Sequence, residues 1–191
     1  MEASRGKRII VAENGTAQEL RAADANLEDL VEKAATTVYS EACRKSQRLV
    51  INIDAGATMV RADPAKLERV LANLLRNAVW HTPVAGKVTV EARREDSECL
   101  IAVSDSGEGI PPDEIPRLFQ RPATIEAGAP PPALGLSVVK GLVDEHGGRV
   151  WAESRLGRGT TIFVSLPQPA PRAVPETHQM DPPRDGHTTH G

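Results

Sequence analysis

The sequence predicts an α+β fold: a two-layer α/β sandwich with a mixed, largely antiparallel sheet. Three patterns carry this expectation. Long apolar stripes recur at helical spacing, short alternating segments pair around turn residues as hairpins, and one further helical run separates the two hairpins. Helices and strands interleave, but hairpins demand antiparallel pairing, which disfavours a doubly wound parallel sheet.

Residues 1–25 are polar and without a sustained period, so they are expected to form a linker or frayed entry segment. From there Leu27, Leu30, Val31, Ala34, Ala35, Val38 and Ala42 follow the spacing of one helix face, with Asn26 as N-cap. Leu49 to Ile53 and Thr58 to Arg61 read as strands. Asp63-Pro64 is a helix start, with a capping carboxylate and a proline where no backbone donor is needed. Leu67, Val70, Leu71, Leu74, Leu75 and Ala78 then form one apolar stripe, and Pro83 stops the helix.

Lys87 to Arg93 alternates, whereas Cys99 to Ser104 is more continuously apolar and is expected at the centre of the sheet. The charged tetrad Arg94-Glu95-Asp96-Ser97 is their hairpin turn. A short helix is expected near Asp113 to Leu118, and residues 121–133 show no period. A helix from Leu134 to His146 ends at Gly147-Gly148. Arg149 to Glu153 and Thr160 to Leu166 close the sheet around a turn with Gly157 and Gly159. The globular part is therefore expected over residues 26–167, and residues 168–191 form a Pro/His-rich tail expected to be disordered.

Composition excludes several classes. With 40% hydrophobic residues but only 3% aromatic, the core has to be built from Leu, Val, Ile and Ala. A net charge of -3 argues against a nucleic-acid binder held by a basic field. Cys43 and Cys99 form no CxxC and are expected as buried thiols in a reducing compartment. No apolar run reaches the ~18 residues of a membrane span. Met1 to Arg8 lacks a signal-peptide core, so the expected location is the cytoplasm.

Four segments can carry chemistry. In Asn73-Leu-Leu-Arg-Asn77-Ala-Val-Trp80-His81-Thr-Pro83, residues 73, 77 and 80 share a narrow helical arc beside the apolar stripe. Amide oxygens placed there can ligate Mg2+, although boundary asparagines on an amphipathic helix have the same pattern. Asp105-Ser-Gly107-Glu-Gly109-Ile110 puts a carboxylate at a strand end, where it can accept from an exocyclic amine while glycines admit a flat base. An ordinary Asp-Gly turn reads the same. Ala133-Leu134-Gly135-Leu136 opens a helix whose free amides can face phosphate, or it is plain helix packing. Gly157-Arg-Gly159-Thr160 fits a tight hairpin equally well.

In this order and at these intervals, the four segments resemble the N, G1, G2 and G3 boxes of the histidine-kinase ATP-binding domain, over about residues 27–167. Ile115-Pro-Arg-Leu-Phe119-Gln-Arg121 is similar to its F box. The resemblance implies the fold shared with gyrase and chaperone ATPases. It implies that Asp105 accepts from the adenine amine, that Gly107, Gly109 and Ile110 form the base pocket, and that Thr160 supports this end. It further implies that Asn77 is the catalytic residue and ligates Mg2+, that Asn73 and His81 approach the phosphates of ATP, and that the amides of Leu134, Gly135 and Leu136 hold them.

Hydrolytic relatives and anti-sigma serine kinases carry a general-base glutamate where this chain has Asn73. Transfer to an already nucleophilic imidazole requires no such base. The implied function is transfer of the γ-phosphate to a histidine on a separate phosphoacceptor protein, which serves a response regulator. A docking module without transfer and, behind it, a serine kinase are the rival readings. None of His81, His146, His178, His187 and His190 lies in a phosphoacceptor context, and the sequence opens where the family's dimerisation helices end. Either a fragment or a separate half-kinase acting in trans is expected, monomeric by itself. Trp80 stands where the family has a basic residue, and Pro122, Pro131 and Ala133 replace an F-box aromatic and two lid glycines. Weaker nucleotide binding or turnover is expected from these changes.

Overall fold

The computed structural model describes residues 20–120 and 135–168. In chain order the elements are β1 (Ala23–Asn26), α1 (Leu27–Thr36), α2 (Tyr39–Arg44), β2 (Arg48–Ile53), β3 (Met59–Ala62), α3 (Pro64–His81), β4 (Lys87–Glu95), β5 (Glu98–Asp105), α4 (Gly135–Glu145), β6 (Arg149–Arg155) and β7 (Gly159–Pro167). A five-stranded sheet has the order β2-β4-β5-β7-β6, and β1 pairs with β3 in a separate two-stranded one. β2 is parallel to β4 and every other pairing is antiparallel. This is the predicted two-layer α/β sandwich with a mixed, largely antiparallel sheet.

One core holds the layers together. α3 buries Leu67, Val70, Leu71, Leu74, Leu75 and Ala78, the stripe read from the sequence. Strand residues Val88, Val90, Ile101, Val103, Ile162 and Val164 face it, and α1 adds Leu27, Leu30, Val31 and Ala34. β5 lies in the middle of the sheet with Cys99 to Val103 all buried, as its continuous apolarity predicts. On the opposite sheet face Trp151 stacks on Phe163 with ring centroids 5.1 Å apart. No helix among the described residues is long and apolar enough to cross a membrane.

Both predicted helix starts are made by side chains. Asn26 accepts from the amides of Glu28 and Asp29. Asp63 accepts from Lys66 N at 3.2 Å, and its other oxygen accepts from Arg21 N at 3.2 Å. Burial opposes the charge of Asp63, but these backbone donors and the Lys66 ammonium outweigh it and hold the carboxyl below its ordinary range.

Several expectations are corrected. The helix predicted from Leu27 through Ala42 breaks after Thr36. The Thr36 hydroxyl donates to Lys33 O (2.6 Å) and the Thr37 hydroxyl to Ala34 O (2.7 Å), so side chains compete with the backbone ladder. Val38 and Ala42 stay buried across the break, so the period marks the buried face and not one continuous helix. The helix expected at Asp113 to Leu118 shrinks to a single 3-10 turn, Ile115–Arg117, because Pro116 supplies no backbone donor. The four-residue hairpin turn tightens to Asp96-Ser97, with Asp96 at φ +47°.

Part of the expected entry segment is β1, registered on β3 from Ala23↔Ala62 to Asn26↔Met59. Gln168, assigned to the tail, is buried: its amide donates to Ser97 O and its side-chain oxygen accepts from Arg61 N, both at 2.6 Å. Cys43 is exposed; only Cys99 is the expected buried thiol, pushed up to about 11 by burial.

At the start of β7, Gly159 has φ +94°, and an added Cβ would lie 1.9 Å from the carbonyl oxygen of Asp105. Gly159→Ala is expected to lower stability by more than about 1 kcal/mol, read as the urea midpoint at unchanged slope. Asp63→Ala removes the α3 cap and should cost about 1 kcal/mol, with Asp63→Asn recovering most of it. Because the folded pKa of Asp63 is depressed, its contribution is complete above the unfolded carboxylate range and is lost as pH falls through the lower folded value. The gap between wild type and Asp63→Ala should therefore narrow in acid, by the part that Asp63→Asn does not recover; a gap constant with pH would show that the charge contributes nothing.

Candidate functional site

The rotation of α3 decides where the candidate residues point. With one face locked into the core, the opposite arc carries Lys66, Asn73, Arg76, Asn77 and Trp80. α4 packs along this arc, and the clamp at one end is explicit. Lys66 Nζ pairs with Glu145 at 2.6 Å, and Asp63 N–H donates to His146 Nε2 at 3.0 Å. The other His146 nitrogen sits 2.7 Å from Leu142 O, so the ring is held as the Nδ1–H tautomer.

At the opposite end, a Cβ on Gly135 would lie 3.6 Å from Asn73 Oδ1. The N-terminus of α4 therefore opens beside Asn73, whose oxygen accepts from Arg76 Nη1 at 3.3 Å. Leu136 is in the core, so only its backbone N–H can serve a ligand there. Leu134 lies outside the described residues, as do Pro122, Pro131 and Ala133. One turn on from Asn73, Asn77 is 8% exposed and has no side-chain hydrogen bond to a described residue. Asn77 is not among the buried unpartnered amides of the described residues, so its polar tip reaches the surface, where a ligand or solvent can meet it.

The C-terminal end of α3 is capped from the loop after α2. Lys45 Nζ donates to Val79 O (2.8 Å) and Trp80 O (2.9 Å), and Gln47 Nε2 to Thr82 O (2.6 Å). The cap carries His81 to the end of β5, where a Cβ on Gly107 would stand 2.5 Å from His81 O. The backbone carbonyl of His81 thus borders Gly107 at the end of β5.

Asp105 terminates β5. Its Oδ1 accepts from Gly107 N (2.8 Å) and Thr160 N (3.3 Å), while Oδ2 has no hydrogen bond to a described residue. Burial pushes the carboxyl above its ordinary range, against the pull of the two amides and of nearby His81. Ser154 of β6 ties this end together. Its hydroxyl accepts from Ile110 N (2.8 Å), donates to Gly159 O (3.1 Å) and meets Thr160 Oγ1 (2.8 Å). Gly109, at φ +76°, lies against the backbone of Arg155, and Gly157 N donates to Glu108 O at 2.7 Å. An open cavity of about 540 Å³ borders this end, with Lys45, Trp80, His81, Ser106, Gly107 and Glu108 in its walls.

The structure thus brings Asp105, Gly107, Gly109, Ile110 and Thr160 together at one end, Asn73 and Gly135 at the other, and sets Asn77 on the helix between them. Ser154, Lys45 and Gln47 escaped the sequence reading. Nothing in the local pattern distinguishes them from ordinary strand and loop residues, and their roles arise from elements distant in sequence.

Comparison with known proteins places this geometry. The family described as histidine kinase-, DNA gyrase B- and HSP90-like ATPase matches residues 62–170. The adaptive-response sensory kinase SasA of Synechococcus elongatus is 32% identical over 143 residues, 73% of this chain and 37% of that protein. The catalytic domain of histidine kinase ThkA superposes with a TM-score of 0.70 at 25% identity, over 78% of this chain and 96% of that domain. Full-length ShkA in complex with AMPPNP gives 0.70 at 28% identity, over 82% of this chain and 33% of ShkA. The chain therefore spans about a third of the length of such full-length kinases. Its fold, its ordered motifs and these matches together make it a member of the histidine kinase-, DNA gyrase B- and HSP90-like ATPase family, as a catalytic domain of the sensor-histidine-kinase type.

Proposed function

We propose that the domain binds Mg-ATP along α3 and passes the γ-phosphate to a histidine on a phosphoacceptor protein or domain, in the cytoplasm. One observation carries the reading: the residues suited to a base and those suited to phosphates lie at opposite ends of a single helix face. Asn73 and His81 are eight residues apart, about 12 Å along a helix. That spacing suits the stretch from the amino group to the phosphate chain of adenosine triphosphate.

Each end has the matching polarity. Asp105 Oδ2, without a donor among the described residues, can accept from the exocyclic amine of adenine, while Gly107 lets the end of α3 pack closely beside it. The first amides of α4, with the positive end of its dipole, suit phosphate. Asn77 offers a hard, neutral oxygen between them, which fits Mg2+. No group of three or more His, Cys, Asp or Glu among the described residues could hold an ion alone, so the metal would share its ligands with the phosphates. When bound, it would neutralise charge developing on the transferred group.

The acceptor follows from what Asn73 lacks. An amide cannot take a proton from water or serine at neutral pH, so the site suits a nucleophile that needs no base, such as imidazole. ShkA in complex with AMPPNP and ThkA in complex with the response regulator TrrA support this reading by analogy.

Mixing the chain with γ-labelled ATP and a histidine-bearing dimerisation protein should give acid-labile label on that protein. Asn77→Ala should reduce the labelling at least a hundredfold, in the range typical of losing electrostatic transition-state stabilisation. Acid-stable label would point to serine and overturn the histidine reading. Partner binding without any nucleotide binding would identify a docking module instead. Because Oδ1 is held by two amides, protonation would put the O–H of Asp105 on the oxygen facing the amine; with its pKa raised by burial, nucleotide affinity should fall on acidification before an exposed aspartate would titrate. Asp105→Asn should lose most of the affinity at neutral pH and all of this pH dependence, as titration calorimetry at several pH values would show.

A further inference from the structure

We propose that Arg76 is the cation that engages the terminal phosphates, an inference that rests on the nucleotide reading above. α4 runs antiparallel to α3. Lys66, near the start of α3, pairs with Glu145 at the end of α4, and Asn73 meets Gly135 at its beginning. Residues of α3 beyond Asn73 therefore project past the α4 N-terminus, toward the space the phosphates would fill.

Arg76, Asn77 and Trp80 share that stretch and the arc of Asn73. Asn77 and Trp80 are uncharged, and Trp80 is 47% exposed. The Arg76 side chain is exposed, donates to Asn73 Oδ1 at 3.3 Å, and pairs with no carboxylate among the described residues. Its guanidinium is thus drawn toward the amide that marks the opening of α4.

The other nearby cations are placed differently. Lys66 is paired with Glu145, and Lys45 Nζ is spent on two carbonyls at the far end of α3. Arg69 stands one turn before Asn73, so it lies alongside α4 and not beyond its end. A guanidinium presents a planar fork that matches two phosphate oxygens, and Arg76 can turn onto them from Asn73 by side-chain rotation alone.

The test measures binding of magnesium AMPPNP and of AMP to the full 191-residue chain and its variants by competition calorimetry. Arg76→Gln should weaken AMPPNP about tenfold, one charge-assisted contact, and leave AMP unchanged. The melting temperature of the free protein should stay the same. Arg76→Lys should recover part of the loss, because charge remains without the fork, and Arg69→Gln should change AMPPNP less than twofold. AMPPNP affinity unaffected by Arg76→Gln would overturn the proposal while leaving the nucleotide reading intact. Equal losses for AMPPNP and AMP would also overturn it, since Arg76 would then act through the fold. Failure of the wild type to bind either nucleotide would remove both.

Discussion

The candidate site depends on the burial of one face of α3. Seven apolar side chains, the stripe and Val79, lock this helix into the core, and a helix so locked cannot rotate without exposing them. The polar arc must then face α4 and the end of β5. Caps at both ends, Asp63 at the start and Lys45 with Gln47 at the finish, hold its axial position as well. Core and capping side chains thus determine where Asn73, Asn77 and His81 stand.

Electrostatics give the two ends opposite preferences. At one, a carboxylate is withdrawn from water far enough to raise its pKa, yet keeps one oxygen unbonded among the described residues. At the other, the start of a helix and an exposed guanidinium favour negative charge. A molecule with a donor at one tip and phosphates at the other satisfies both, and a molecule with either feature alone does not. Ser154 matters here because it bonds to the loop carrying Ile110 and to the strand carrying Thr160, so the base end behaves as one piece.

Much of the fold was legible because its signals are local. The period of α3, the Asp63-Pro64 start, the continuous apolarity of β5 and the hairpin turns all lie within a few residues of the structure they specify. β1 was not legible: Ala-Asp-Ala-Asn alternates over only four residues, has no β-branched or aromatic side chain, and is a strand because β3 lies beside it. The break between α1 and α2 was hidden for a related reason. Burial keeps the helical period intact through Ala42, while two threonine hydroxyls interrupt the backbone ladder beneath it.

For the site, the residues by themselves determined the chemical inventory: amides on one helical arc, a carboxylate at a strand end, and glycines where backbones approach closely. These are properties of short segments, set by covalent spacing and helical or strand period. Only the tertiary structure decided which inventory items meet. It placed His81 against Gly107, Asn73 against Gly135 and Asp105 under Thr160, because those contacts span 26, 62 and 55 residues of chain and depend on how two layers pack.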